Sequence, residues 1–241
     1  MPKHTKNLTT SIVENLGTDI VSGVYHDDNP FPIEADLCAK YSVIRSVLRE
    51  AVKILTSKGL LSARPRQGTK VMPENNWNFL DPMVLRWLLE RKFSPELLAE
   101  FTELRLAIEP AAAAFAALRA SDTAKAHIEA ALQRMEAAEQ GLDDPLESDI
   151  AFHVAILESS ENRFYQQLTD FSETALRISI QLTNQRKGVR LASVRDHRKV
   201  YEAIKAHNPD RARSAMSYLL QEAMDLITEA TESVLADSAN Q

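Results

Sequence analysis

Asp149 and His153 stand four residues apart in the segment SDIAFHVAI, with Phe152 and Ile156 marking an apolar stripe beside them. Side chains at i and i+4 share one helix face. At this spacing a carboxylate and an imidazole could bind one metal ion, hold one polar ligand, or make a buried structural hydrogen bond. The chain has six histidines in 241 residues, so the meaning of the pair depends on what surrounds it. A second group of chemical interest is cationic. Between residues 40 and 71, Lys40, Arg45, Arg49, Lys53, Lys58, Arg64, Arg66 and Lys70 face one acid, Glu50. Such a cluster is either a solvated basic face or a surface that binds a polyanion.

The elements that must position these groups follow from periodicity. Residues 8–24 carry Leu8, Ile12, Leu16, Ile20 and Val21 at helical spacing, and Gly23 is a stop. A short helix over Glu34–Lys40, a turn at Tyr41 and Ser42, and a second helix over Arg45–Ser57 follow, closed by Lys58 and Gly59. Leu60–Arg64 and Thr69–Met72 flank Pro65-Arg66-Gln67-Gly68 and read as a two-stranded hairpin. Three helices and a hairpin are the order of a winged helix-turn-helix, with Leu37, Val43, Leu48, Val52, Leu55 and Leu60 as its core.

PENNWNFLDP, residues 73–82, is a linker by composition, with Trp77 and Phe79 pinning it to a surface. Residues 83–236 are helical in period, giving about seven helices, and Pro110 is expected to kink one of them or restart it. A tail of residues 237–241 remains. The expected fold class is mainly α: an N-terminal winged helix-turn-helix with a small β-hairpin wing over residues 1–72, and a C-terminal all-helical bundle. The net charge of −6 divides unevenly, since residues 1–72 hold ten Lys and Arg against seven Asp and Glu. The basic module is thus attached to an acidic body. One cysteine, Cys38, excludes an internal disulfide. The amino terminus lacks the pattern of an export signal and the most apolar run is too short for a membrane span, so a cytoplasmic setting is expected.

In a helix-turn-helix the second helix enters the major groove, where an arginine can donate two hydrogen bonds to a guanine edge. Arg45 and Arg49, one turn apart with Ser46 between them, are placed for that readout. Lys53 and Lys58 would lie nearer phosphates. The hairpin tip, Arg66, Gln67 and Gly68, can approach a backbone or minor groove because glycine adds no bulk.

The stretch FPIEADLCAKYSVIRSVLREAVKILTSKGLLSARPRQGTKV resembles the amino-terminal domain of the GntR superfamily of bacterial transcription regulators, through Arg45, Leu48-Arg49-Glu50-Ala51, Gly59-Leu60 and Gly68. Ala35 and Ile44 depart from the family pattern, where an arginine and a small hydroxylated residue are common. ELRLAIEPAAAAFAALRAS, SDIAFHVAILESSEN and DHRKVYEAI are similar to the FCD ligand-binding domain of the FadR subfamily. That resemblance implies an effector site at Arg105, Asp149, His153 and His197, with Asp149, His153 and His197 as ligands of a divalent metal, zinc before nickel or manganese. Leu219 stands where a fourth histidine ligand is usual and cannot coordinate. Arg105 is followed at four by Glu109, so it either faces the cavity, where its planar fork suits a carboxylate, or makes an intrahelical salt bridge.

NNWNFLDPMVLRWLLE is similar to members that respond to sugar acids, galactonate-type regulators among them. The resemblance as a whole implies a homodimeric, ligand-responsive regulator that binds double-stranded operator DNA, most simply a repressor of a sugar-acid or other carboxylate catabolic operon. A metal-responsive regulator is a second reading. A metal-dependent hydrolase is a third, disfavoured because it leaves the basic helix-turn-helix without a role.

Overall fold

The structure, a computed structural model, describes residues 8–64, 68–91, 95–187 and 193–239. It divides into two compact units, one ending at residue 93 and one beginning at residue 94. In the first, the i, i+4 repeat of apolar residues folds α1 (Leu8–Val21) and buries Ile12, Val13, Leu16, Ile20 and Val21. Leu8, expected on that face, is exposed at the helix start. α2 (Glu34–Tyr41) ends at Ser42, whose left-handed backbone (φ 52°) turns the chain and sends its amide back to the Ala39 carbonyl. α3 (Arg45–Ser57) buries Leu48, Ala51 and Leu55 and turns its polar face outward. β1 (Leu61–Arg64) and β2 (Gly68–Val71) pair antiparallel, from Leu61 opposite Val71 to Arg64 opposite Gly68. The expected core holds at Leu37, Leu48, Leu55 and Leu60, while Val43 and Val52 are only half-buried.

The segment expected as a linker folds back on this unit. Glu74–Asn76 forms a 3-10 turn, the Trp77 indole N–H donates to the Met72 carbonyl at 2.9 Å, and the Asn78 amide donates to the Lys58 carbonyl. The fit needs Gly59. Its φ is +81°, and a Cβ there would stand 2.1 Å from the Asn76 carbonyl oxygen. Asp81 then accepts from the amides of Met83 and Val84 and starts α4 (Pro82–Arg91).

Sequence reasoning assigns α4 to the helical bundle, but it belongs to the first unit, because it packs against α1. The Trp87 ring is fully buried over Gly17, and its indole N–H and the Arg86 guanidinium both donate to Glu14, at 2.7 Å each.

The second unit contains α5 (Pro95–Arg119), α6 (Asp122–Glu139), α7 (Pro145–Ser159), α8 (Arg163–Gln166), α9 (Thr169–Lys187), α10 (Val194–Lys205) and α11 (Pro209–Ala239). Side chains of Ser121, Asp144, Asn162 and Ser193 cap α6, α7, α8 and α10. Pro110 neither ends nor restarts a helix: α5 is continuous through it. Ala112, Ala113, Ala116 and Ala117 are fully buried on α5, and these small side chains let α11 lie close along it. α11 runs through residue 236, so the expected tail is largely helix. α7 is buried on nearly every side, between α5, α6 and α9. No helix among the described residues is long and apolar enough to cross a membrane.

Gly17 tests the seating of α4. Helix propensity alone favours Gly17→Ala by about 1 kcal/mol, but the new methyl would stand 2.4 Å from the Trp87 ring. We expect a net loss of about 1–3 kcal/mol, measured by urea unfolding; stabilisation would show that Trp87 does not lie on α1.

Candidate functional site

Three helices of the second unit bring buried ionisable groups together. α5 supplies Arg105 and Glu109, α7 supplies Asp149 and His153, and α10 supplies His197, each no more than 5% exposed. The 3.6-residue repeat places both members of the first two pairs on one face of their helices. Arg105 Nε donates to Glu109 Oε1 at 2.7 Å, and His153 Nδ1 lies 2.6 Å from Glu109 Oε2. Arg105 Nη2 is 3.3 Å from the same imidazole nitrogen. The two readings of Arg105 offered by its spacing therefore coexist. It pairs with Glu109 and also faces the cluster.

A carboxylate can only accept, so His153 carries its proton on Nδ1. His197 Nδ1 lies 2.8 Å from the Ser193 carbonyl, which imposes the same arrangement. Both rings thus turn Nε2 toward Asp149 Oδ1, at 3.4 Å for His153 and 3.0 Å for His197. Asp149 Oδ1 and His197 Nε2 are fully buried, and despite their separation their alignment makes no hydrogen bond. Two nitrogen lone pairs and a carboxylate oxygen converging in an apolar interior repel one another unless a proton or a cation lies among them.

Electrostatics reflect the crowding. Burial pushes the Asp149 carboxyl up, but His153 and His197 more than offset it and hold it below the ordinary carboxylate range. Glu109 is likewise raised by burial and lowered further by Arg105 and then His153, to about 2. Burial lowers the His153 imidazole most, but Glu109 and Asp149 together, against Arg105, leave it raised.

Ligand atoms of Asp149, His153 and His197 all lie within 4.8 Å of one another, so the three could hold a metal ion. One carboxylate oxygen and two imidazole nitrogens suit zinc or another first-row divalent ion and leave positions open. The unpartnered Asp149 Oδ1 and His197 Nε2 fit such an ion. Leu219 of α11 lies in the hydrophobic core and adds no donor. Beside Arg105 and Glu109 is a cavity of about 10 Å³, bordered by Phe101, Leu157 and Phe171.

In the first unit, Arg45, Arg49 and Lys53 follow one another at four-residue spacing on the exposed face of α3, with Ser46 exposed beside them. Arg49 donates to both oxygens of Glu34, at 3.0 and 3.3 Å, and Arg45 Nε is 3.5 Å from the same carboxylate. Lys53 pairs with Glu50. Lys58, expected near phosphates, is instead half-buried and bound to Asp81 at 2.6 Å. Gly68 is exposed at φ +78°, where a side chain would be strained. Arg66 and Gln67 lie outside the described residues. An open groove of about 1430 Å³ runs between α3 and the wing, with Arg49, Lys53, Arg64 and Lys70 in its lining.

Sequence reasoning missed Glu34 and the second role of Glu109. Their partners lie 15 and 44 residues away, and the i, i+4 pairing of Glu109 with Arg105 was the one available signal.

Residues 8–71 match the family "Bacterial regulatory proteins, gntR family", and residues 100–222 match the FCD domain. The chain is 34% identical to the galactonate operon transcriptional repressor of Escherichia coli, over 94% of this chain and all of that one. It is 25% identical to the Glc operon transcriptional activator of the same organism, covering 85% of this chain and 82% of the other. Among solved structures, the Listeria monocytogenes regulator Lar superposes with a TM-score of 0.59 at 18% identity, over 94% of this chain and 99% of that one, a likeness of fold.

Glu109 depends on its cation. Arg105→Ala should cost the second unit about 3–5 kcal/mol by stranding a buried carboxylate. Adding Glu109→Gln should recover part of that loss. Denaturant unfolding of the single and double variants decides, and simple additivity of the two would contradict the pairing.

Proposed function

Because the chain belongs to the gntR family of bacterial regulatory proteins and carries an FCD domain, we propose that this ligand-responsive DNA-binding regulator is a homodimeric repressor of a sugar-acid catabolic operon, released from its operator when the acid binds among Arg105, Asp149, His153 and His197. One observation carries the reading: an arginine fork and a converging set of unsatisfied donor atoms lie buried in a single cluster. The name of the E. coli galactonate repressor supports a sugar acid as the signal.

On the DNA side, Arg45, Ser46 and Arg49 read base edges, while Lys53 and the wing tip of Arg66, Gln67 and Gly68 meet the backbone. Glu34 holds Arg45 and Arg49 near one carboxylate before a duplex arrives. Two copies related by a two-fold axis would read an inverted repeat.

In the helical unit, Arg105 binds the acid's carboxylate, and its hydroxyls meet the imidazoles. Asp149, His153 and His197 would hold a divalent ion, which when bound supplies a Lewis-acidic point for the acid's oxygens. The cavity at Arg105 has room for about one water, whereas small-molecule pockets usually span roughly 300–1,000 Å³. Admitting a sugar acid there therefore separates helices, and that strain is what a regulator transmits. A coupling of about 1–3 kcal/mol between acid and operator suffices.

Mobility-shift assays with the DNA upstream of the protein's own gene, titrated with galactonate and with zinc, test the reading. Arg49→Ala should weaken operator binding by about 1–3 kcal/mol with helical content and galactonate binding unchanged. His197→Ala should keep operator binding and lose the response to galactonate. Induction surviving that change contradicts the site, and release by zinc alone would identify the metal as the signal.

A further inference from the structure

We infer that Glu109 is a positioning residue: one carboxylate fixes the His153 ring with Nε2 turned toward Asp149 and His197, and holds Arg105 in register with that donor set. The inference rests on the reading of Asp149, His153 and His197 as a divalent-ion site. Its test separates the two.

Glu109 is 2% exposed, so bulk solvent does not reach its oxygens. An intrahelical pair with Arg105 engages Oε1. The other oxygen reaches across to α7 and meets His153 Nδ1 at 2.6 Å. A carboxylate has no proton to give at neutral pH, so the Nδ1–H form is imposed and the Nε2 lone pair is turned toward Asp149, with Arg105 Nη2 3.4 Å away. Histidine ligands commonly have such an outer acceptor, and its loss weakens metal binding about 10–100-fold. His197 has its own, the Ser193 carbonyl. Glu109 supplies the equivalent for His153 and also carries charge. A divalent ion and Arg105 bring three positive charges against the carboxylates of Asp149 and Glu109, leaving one net positive charge that a single organic carboxylate neutralises. Without Glu109 the excess doubles inside the bundle, and Arg105 is no longer tied to the ring that orients the site.

Glutamine at 109 can present its carbonyl to Arg105 or to His153 but not to both. Facing the stronger donor, Arg105, it turns its NH₂ toward Nδ1 and pushes the ring proton to Nε2, where it blocks the lone pair.

Zinc titrations of the full-length protein against a chromophoric chelator, with wild type, Glu109→Gln and Asp149→Asn, test this. Nitrogen-15 NMR of the histidine rings in the metal-free proteins accompanies them. Expected are a loss of zinc affinity of about 10–100-fold in Glu109→Gln and a change of His153 from the Nδ1–H to the Nε2–H form, a signature that general loosening would not give. Wild-type zinc affinity with the His153 proton still on Nδ1 overturns the inference. If wild type takes up zinc no better than Asp149→Asn, the ion site itself falls, and the ring signal alone then decides whether Glu109 orients His153. Should Glu109→Gln fail to fold with Arg105 unpaired, the double variant Arg105→Met/Glu109→Leu removes both charges together and leaves His153 Nδ1 without an acceptor, so the same loss of zinc affinity and the shift of the ring proton to Nε2, beside Asp149, are expected.

Discussion

Five ionisable side chains inside an apolar helical bundle impose the constraint on which this protein depends. Each charge removed from water must be matched locally, since burying an unpaired ion costs several kcal/mol. The second unit meets the demand by chaining partners: Arg105 to Glu109, Glu109 to His153, and both imidazoles to Asp149. The chain closes everywhere but at its end. Asp149 Oδ1 and His197 Nε2 face each other without a hydrogen bond, while the Arg105 guanidinium stands 3.4 Å from His153 Nε2. Asp149, His153 and His197 could hold a metal ion there, beside the Arg105 guanidinium.

The scaffold keeps this polar chain in place by surrounding it with tight apolar contacts. Fully buried alanines on α5 bring α11 close, and α7, which carries Asp149 and His153, is enclosed on nearly all sides. Such cores move between discrete packings rather than deforming continuously. A ligand that needs more than the small cavity beside Arg105 must therefore select a different packing, which is how binding at a buried site can become a signal.

Much of this was legible in the sequence, for physical reasons. The winged helix-turn-helix order follows from local periodicity and turn residues, and the i, i+4 pair of Asp149 and His153 from helix geometry. His197 was reachable only through resemblance to a family, because no spacing rule links it to residues on another helix. The placement of α4 was missed: the proline-rich and asparagine-rich composition of residues 73–82 suggests a free linker, whereas Gly17 and Gly59 give up a side chain to admit Trp87 and the Asn76 backbone. At Pro110 the expectation of a kink or a restart resolves against the restart, since α5 runs on through it. Glu34 and Glu109 stayed hidden because their second partners are brought near only by tertiary structure.

Anomalous diffraction at the zinc edge, from crystals of the full-length protein grown with zinc, tests the central claim most directly. The account requires a peak bounded by Asp149 Oδ1 and by Nε2 of His153 and His197, with the Glu109 carboxylate still on His153 Nδ1. Density showing both imidazoles hydrogen-bonded to Asp149, with zinc held only at the protein surface, would contradict it.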